Sequence, residues 1–348
     1  MHRPSRQIAL ALSGLLLVAQ AAQALDTQAG LRRINVQGIT SDAAPIPVAL
    51  YYPTQAPANA IAMGPFTVRV AVQSAPDAEF KGLILLSHGT GGSELGHTSL
   101  AEALAKHGYL VAALRHPGDN WQDRSLLQSA GRYFTERPQH VSRLIDALLR
   151  DPEWGARIAS DAQGPRIGAV GHSAGGYTVL ALAGAQPDLS RLATHCEANG
   201  ADDPIFCSLR RAAGPAASSV PPPVPALIDA RVRAVLVLAP VGAVFSAESL
   251  AKIRIPAAIY AAERDRFVVP RFHAQWIARN LPGAEFHTVP NAWHFAFMDT
   301  PGMPIPSEDG DVGANPPGFD RQALLDQLKR DLPSFFDKAL GTSHRSKP

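Results

Sequence analysis

The run Arg166-Ile-Gly-Ala-Val-Gly171-His-Ser173-Ala-Gly-Gly176-Tyr-Thr-Val-Leu-Ala-Leu-Ala-Gly-Ala185 decides the fold. Its opening residues form a short apolar strand, and Tyr177 to Ala185 read as a helix, so the glycine-flanked serine sits where strand turns into helix. Such a turn is tight and strained, and side chains at its neighbours would collide. The turn lifts the Ser173 hydroxyl clear of the backbone at a helix N-terminus, whose dipole favours developing negative charge. In this setting G-x-S-x-G reads as a nucleophile elbow, with Ser173 as the candidate nucleophile.

Outward from the elbow, continuous apolar runs recur at Leu83-Ile-Leu-Leu-Ser, Tyr109-Leu-Val-Ala-Ala-Leu, Val232-Arg-Ala-Val-Leu-Val-Leu and Ala257-Ala-Ile-Tyr-Ala. Strands without polar alternation are buried on both faces, as in a parallel sheet covered by helices. Leu100–His107, Val141–Arg150, Tyr177–Ala185 and Phe272–Asn280 fill the helical slots. Nearer the N-terminus, Arg33-Ile-Asn-Val-Gln, Pro47-Val-Ala-Leu-Tyr-Tyr-Pro and Phe66-Thr-Val-Arg-Val-Ala-Val predict an antiparallel entry to that sheet. The class is α/β, with a mainly parallel central sheet and helices on both faces.

A serine hydroxyl is a weak nucleophile near neutral pH and needs a base and an orienting acid. An apolar strand runs into Glu263-Arg-Asp265, which places Asp265 at the carboxyl edge of the sheet; Glu263 is the competing acid, nearer the strand. Ala284-Glu-Phe-His-Thr-Val-Pro reads as the last strand, and the loop beyond it carries His294, the candidate general base. His287 lies inside that strand, where a structural or exposed imidazole is expected. A tetrahedral oxyanion needs two donors: the Ala174 N–H after the nucleophile, and Thr90 in the glycine-rich turn Ser87-His-Gly-Thr-Gly-Gly92. That turn lacks the lysine of a P-loop and the full G-x-G-x-x-G pattern, so phosphate cradling is not its reading.

The chain of 348 residues opens on Arg3 and Arg6, an apolar run from Ile8 to Val18 and Ala22-Gln23-Ala24. These are the parts of a secretory signal over residues 1–24, cut before Leu25. The apolar run falls short of the roughly 20 residues that span a bilayer, so no membrane insertion of the mature chain is expected and export is to the periplasm or medium. Cys196 and Cys207, the only two cysteines, then fold in an oxidising compartment and are expected to pair, a link worth about 3 kcal/mol. They lie in Pro187 to Ala230, longer than ordinary connections between elements and read as a cap or lid insertion (187–230) in one large domain of residues 25–348. Pro301 to Phe319 holds Glu308, Asp309 and Asp311, too irregular for a calcium loop; it reads as solvated loop, with no metal. With 32 basic against 30 acidic residues spread along the chain, the formal charge of +2 leaves no footprint for nucleic acid.

Together these motifs resemble the α/β-hydrolase superfamily, and within it the platelet-activating-factor-acetylhydrolase-like group that includes predicted dienelactone hydrolases. The likeness runs from the Leu50-Tyr-Tyr-Pro strand through Ser-His-Gly-Thr-Gly-Gly, Arg115-His-Pro-Gly-Asp-Asn120 and the elbow to Asp265 and His294. It implies cofactor-free hydrolysis of small-molecule carboxylic esters, with Ser173, Asp265 and His294 as triad. True dienelactone hydrolases use a cysteine nucleophile, so Ser173 is a departure from them. A peptidase or amidase with the same triad, and an inactive hydrolase fold used for binding, are the competing readings.

Overall fold

The computed structural model describes residues 26–38, 44–212 and 224–342. The expected signal segment lies outside them, as does the middle of the expected cap. Among the described residues the main sheet has ten strands: β1 (Gln28–Val36), β2 (Ile46–Thr54), β3 (Asn59–Met63), β4 (Phe66–Val72), β5 (Leu83–Ser87), β6 (Leu110–Leu114), β7 (Ile167–His172), β8 (Val232–Leu238), β9 (Ala257–Ala262) and β10 (Glu285–Val289). Their order is β10-β9-β8-β7-β5-β6-β2-β1-β4-β3. From β10 to β6 every pairing is parallel. The residues of β5, β6, β7 and β9 are all buried, as their unbroken apolar runs require.

The N-terminal entry is antiparallel at β1–β2, β2–β6 and β3–β4, but β1 and β4 pair in parallel. The expectation needs this one correction. The chain reverses once between β2 and β4, at Gly64, whose φ of 60° suits a tight turn. A single reversal leaves β4 antiparallel to β2 and therefore parallel to β1.

The helices are α1 (Thr98–Lys106), α2 (Ala130–Arg150), α3 (Ala174–Leu182), α4 (Leu189–Asn199), α5 (Pro204–Ala212), α6 (Ala247–Leu250), α7 (Ala274–Asn280) and α8 (Arg321–Ala339). Leu100 and Leu104 of α1 pack with Leu328, Leu332 and Phe336 of α8 on one face of the sheet. On the other face, Val141, Leu144 and Leu148 of α2, Val179 of α3 and Ile277 of α7 share a second cluster.

α4 and α5 occupy the first half of the long insertion, and a disulfide joins Cys196 on α4 to Cys207 on α5, with Cα atoms 5.4 Å apart. Asp203, fully buried between the two helices, accepts hydrogen bonds of 2.8 Å from His195 of α4 and 2.8 Å from His273, just before α7. The Nδ1 of His273 accepts the Gly242 N–H at 3.0 Å, which puts the ring proton on Nε2, facing Asp203. Burial alone would raise the Asp203 pKa, but the hydrogen bonds from His195 and His273 hold it well below the usual carboxylate range. Asp203→Ala strands two buried N–H donors and should lower stability by about 3 kcal/mol. Its neighbour Asp202 pairs with Arg271 at the exposed surface, so Asp202→Ala should cost under about 0.5 kcal/mol. Urea denaturation of both variants checks the contrast; equal losses would contradict the clasp.

Candidate active site

β7 ends at His172 and α3 begins at Ala174, so Ser173 alone makes the junction. Its φ of 56° is left-handed, a conformation that costs a non-glycine residue on the order of 1 kcal/mol or more. Backbone bonds hold it there: the Ser173 N–H donates to the Leu238 carbonyl at 2.9 Å, and its own carbonyl accepts from Gly176 at 2.9 Å and Val241 at 3.0 Å. The flanking glycines are required by close approach. A Cβ at Gly171 would lie 2.1 Å from the Gly175 carbonyl oxygen, and one at Gly175 would lie 1.9 Å from that of Ser87.

Asp265 and His294 come from the loops after β9 and β10. The Asp265 carboxylate is held at Oδ1 by the N–H groups of Phe267 at 2.8 Å and Val268 at 2.9 Å, and its Oδ2 accepts the Nδ1 proton of His294 at 2.7 Å. Both side chains are 1% exposed. This bond leaves Nε2 of His294 as the ring's free lone pair. Glu263, by contrast, is exposed and accepts the N–H of Asn291, whose φ is 56°; it shapes the turn leading to His294 without touching the ring. His287 is exposed and stacks on Tyr260 at 4.5 Å. His172, next to Ser173, donates from Nε2 to the His294 carbonyl at 3.1 Å, with the two rings 4.9 Å apart. Asp265 and His294 therefore meet beside His172, the chain neighbour of Ser173, while Glu263 and His287 do not touch the His294 ring.

Ala174 opens α3, so its N–H is a helix-start donor without an intrahelical acceptor. Thr90 faces the same cavity as Ser173 and Ala174, and its hydroxyl meets the Tyr133 hydroxyl at 2.6 Å. A feature that sequence reading missed supports this turn from below. Arg137 of α2, completely buried, forms an ion pair with buried Asp119 and donates to the His88 carbonyl, and reaches Thr178 of α3 at 3.1 Å. The other oxygen of Asp119 accepts the Gly91 N–H at 2.8 Å. One guanidinium thus ties α2, α3 and the turn after β5 together. The signal was present in His116-Pro-Gly-Asp119, but nothing in the sequence paired it with an arginine 18 residues away.

Three buried histidines crowd this cation. His88, His116 and His140 are pushed down, by burial first and by the nearby positive charge of Arg137 as well, with His88 and His140 at about 3. All three are neutral at pH 7.

The cavity beside Ser173 measures about 100 Å³ and is lined by Thr90, Leu127, Ala130, Tyr133, Phe134, Ala174, Tyr177, Leu192, Phe206, Val241, Phe267 and Val268. Its lining includes no charged side chain. Leu192 and Phe206 come from α4 and α5, so the insertion closes over the carboxyl edge. His195, Asp203 and His273 have donor atoms close enough for a cation. However, the tautomer set by Gly242 leaves His273 a proton rather than a lone pair to offer there, and the trio reads as a hydrogen-bonded clasp.

The family model described as "Alpha/beta hydrolase family" matches residues 83–303. No curated protein sequence matches the chain. Among solved structures, a ferulic acid esterase from Streptomyces cinnamoneus is similar with a TM-score of 0.58 and 21% identity, over 95% of this chain and 96% of that one. A dienelactone hydrolase from Anabaena variabilis is similar with a TM-score of 0.48 and 14% identity, over 90% and 99%.

The buried histidines predict a pH dependence. A histidine whose pKa falls on folding contributes stability that is complete above its unfolded value of about 6.5 and is lost as pH drops toward the folded value. Between pH 6 and 4, stability should fall by up to about 1.4 kcal/mol per pH unit for each such group. His140→Asn removes one of them and should flatten the slope of unfolding free energy against pH in urea titrations. An unchanged slope would mean that His140 is protonated in the folded protein.

Proposed function

The chain belongs to the alpha/beta hydrolase family, and we propose that it is an exported serine esterase that cleaves short-acyl carboxylic esters through Ser173, His294 and Asp265. The observation that carries this reading is the buried 2.7 Å bond between Asp265 and His294, set beside a serine held at a left-handed φ. In the proposed reaction the His294 Nε2 takes the Ser173 proton as Oγ attacks the carbonyl carbon, and Asp265 stabilises the imidazolium. The oxyanion is received by the N–H groups of Ala174 and Thr90. Collapse of the tetrahedral species returns the proton from His294 to the departing alkoxide and leaves an acyl-Ser173 ester. Water, deprotonated by the same imidazole, then releases the acid and restores the hydroxyl.

The ferulic acid esterase likeness is compatible with ester chemistry, although at 21% identity it speaks for the fold alone. The Cys196–Cys207 link suits an oxidising compartment, and no helix among the described residues is long and apolar enough to cross a membrane.

Ser173→Ala should abolish both ester turnover and labelling by a fluorophosphonate, while the protein stays folded; labelling that persists would remove Ser173 from the role. Asp265→Asn should slow kcat by about 10⁴ through loss of the correct tautomer. Glu263→Gln should cost far less, and the reverse ranking would assign the acid to Glu263.

Short-acyl preference follows from the small aromatic cavity beneath α4 and α5, which the disulfide and the Asp203 hydrogen bonds brace. Across p-nitrophenyl esters, kcat/KM should peak between acetate and butyrate with no jump at the micellar threshold. A maximum at long chains would contradict it.

A further inference from the structure

The connection from Arg115 to Ser129 lies against the glycine turn after β5. Trp121 N–H donates to the Gly92 carbonyl at 3.3 Å, and Asp119 accepts from Gly91. On this connection Arg124 lies across Gly91: a Cβ there would fall 2.7 Å from its Nη2 and 2.9 Å from its Cζ. The φ of 67° at Gly91, and its lack of a side chain, leave room for the guanidinium against the turn that carries Thr90. A Cβ at Gly89, two residues earlier, would lie 3.1 Å from that of Ser173. Two residues of chain reach about 7 Å at most, so Gly89 against Ser173 and Gly91 against Arg124 belong to one short turn.

Arg124 is exposed and, among the described residues, takes no carboxylate or carbonyl partner. The arginines beside other cavity-lining residues are engaged. Arg132 pairs with Glu136 at 2.6 Å, Arg266 with Asp309 at 2.8 Å, and Arg191 lies 4.5 Å over the Trp276 ring. A guanidinium presents a planar fork that matches a carboxylate. The cavity itself cannot be that carboxylate's place, because burying a charge among apolar side chains without a partner is costly. An ionised group on the substrate must then lie outside the acyl pocket, on the alcohol side of the scissile bond. Trp121, 63% exposed on the same connection, offers a flat surface for the body of that alcohol.

We propose that Arg124 forms an anion subsite at the mouth of the cavity, and that the favoured substrates are short-acyl esters of alcohols bearing a carboxylate. The proposal rests on the esterase reading above. In the cleavage, water adds across the acyl–oxygen bond, the acyl group leaves as its acid, and the alcohol departs with its carboxylate unchanged and held by Arg124 throughout.

The test compares 3-acetoxybenzoate with 3-acetoxybenzamide, which share the acyl group and differ in one charge. Wild type should favour the benzoate in kcat/KM by about fivefold at low salt, the range of an exposed charge pair. Arg124→Gln should bring that ratio to near one, and Arg124→Lys should keep part of it. Raising salt to about 1 M, where the Debye length is about 3 Å, should compress the wild-type ratio in the same direction. A wild-type ratio of one or less, or a ratio untouched by Arg124→Gln, would overturn the subsite. Failure on both esters and on p-nitrophenyl acetate would instead overturn the esterase reading, and the subsite with it.

Discussion

The closest constraint in the molecule is the contact between the elbow and strand β5. Gly175 of α3 sits so near the Ser87 carbonyl that an added Cβ would stand 1.9 Å away, and Gly171 meets Gly175 in the same manner. Helix α3 is therefore pressed onto the ends of β5 and β7. The left-handed Ser173 is the geometric consequence, since one residue must turn the chain from strand to helix without room to spare. The surroundings over-determine that conformation through bonds to Leu238 and Val241 on the neighbouring strand and its loop. Everything chemical at the site is aimed from this junction.

Pressing α3 onto β5 also brings polar groups into a region without water. The carbonyl of His88 and the hydroxyls of Ser87 and Thr178 are buried under the turn, and Arg137 supplies donors to all three. A lone guanidinium in that position would be prohibitively expensive, so Asp119 must accompany it, and Asp119 then reaches up to the Gly91 N–H. The ion pair thus contributes shape more than stability. It fixes the turn that carries Thr90 relative to the helix that starts at Ala174.

The fold was legible where side-chain periodicity alone decides it. The buried runs of β5, β6, β7, β8 and β9 have no polar alternation, and each was read at nearly its full length. α2 was read only from Val141, because its first half carries Arg137, Pro138 and His140, polar or helix-breaking residues that are buried here for reasons of the site. α8 went unread although Leu324, Leu325, Leu328, Leu332 and Phe336 keep helical spacing; it follows a long Pro- and Gly-rich loop that hides where the domain resumes. At the site, chain order alone brought Ser173, Asp265 and His294 into view. Asp265 is preferred over Glu263 in the sequence because it lies deeper in the loop, and in the structure that loop turns Asp265 toward His294 and Glu263 toward the Asn291 N–H. Arg137 and the Asp203 clasp were invisible for a common reason: each joins residues far apart in sequence, and no spacing rule connects them.

The insertion is held by two fastenings of different kind. The disulfide between α4 and α5 ties the insertion to itself; being local, it mainly restricts the unfolded chain and places no constraint between cap and sheet. Asp203 does the opposite. It sits between the same two helices but bonds to His273 and to the Val269 N–H, on the connection between β9 and α7 that also follows Asp265. The cap is therefore braced against the loop that carries Asp265, and a displacement of α4 or α5 would be felt at Phe267 and Val268, which both border the cavity and donate to Asp265. Pocket shape and acid position are set by one connected piece of backbone. A larger cavity could not be made here by loosening the cap alone, because the same movement would disturb the carboxylate bonded to His294.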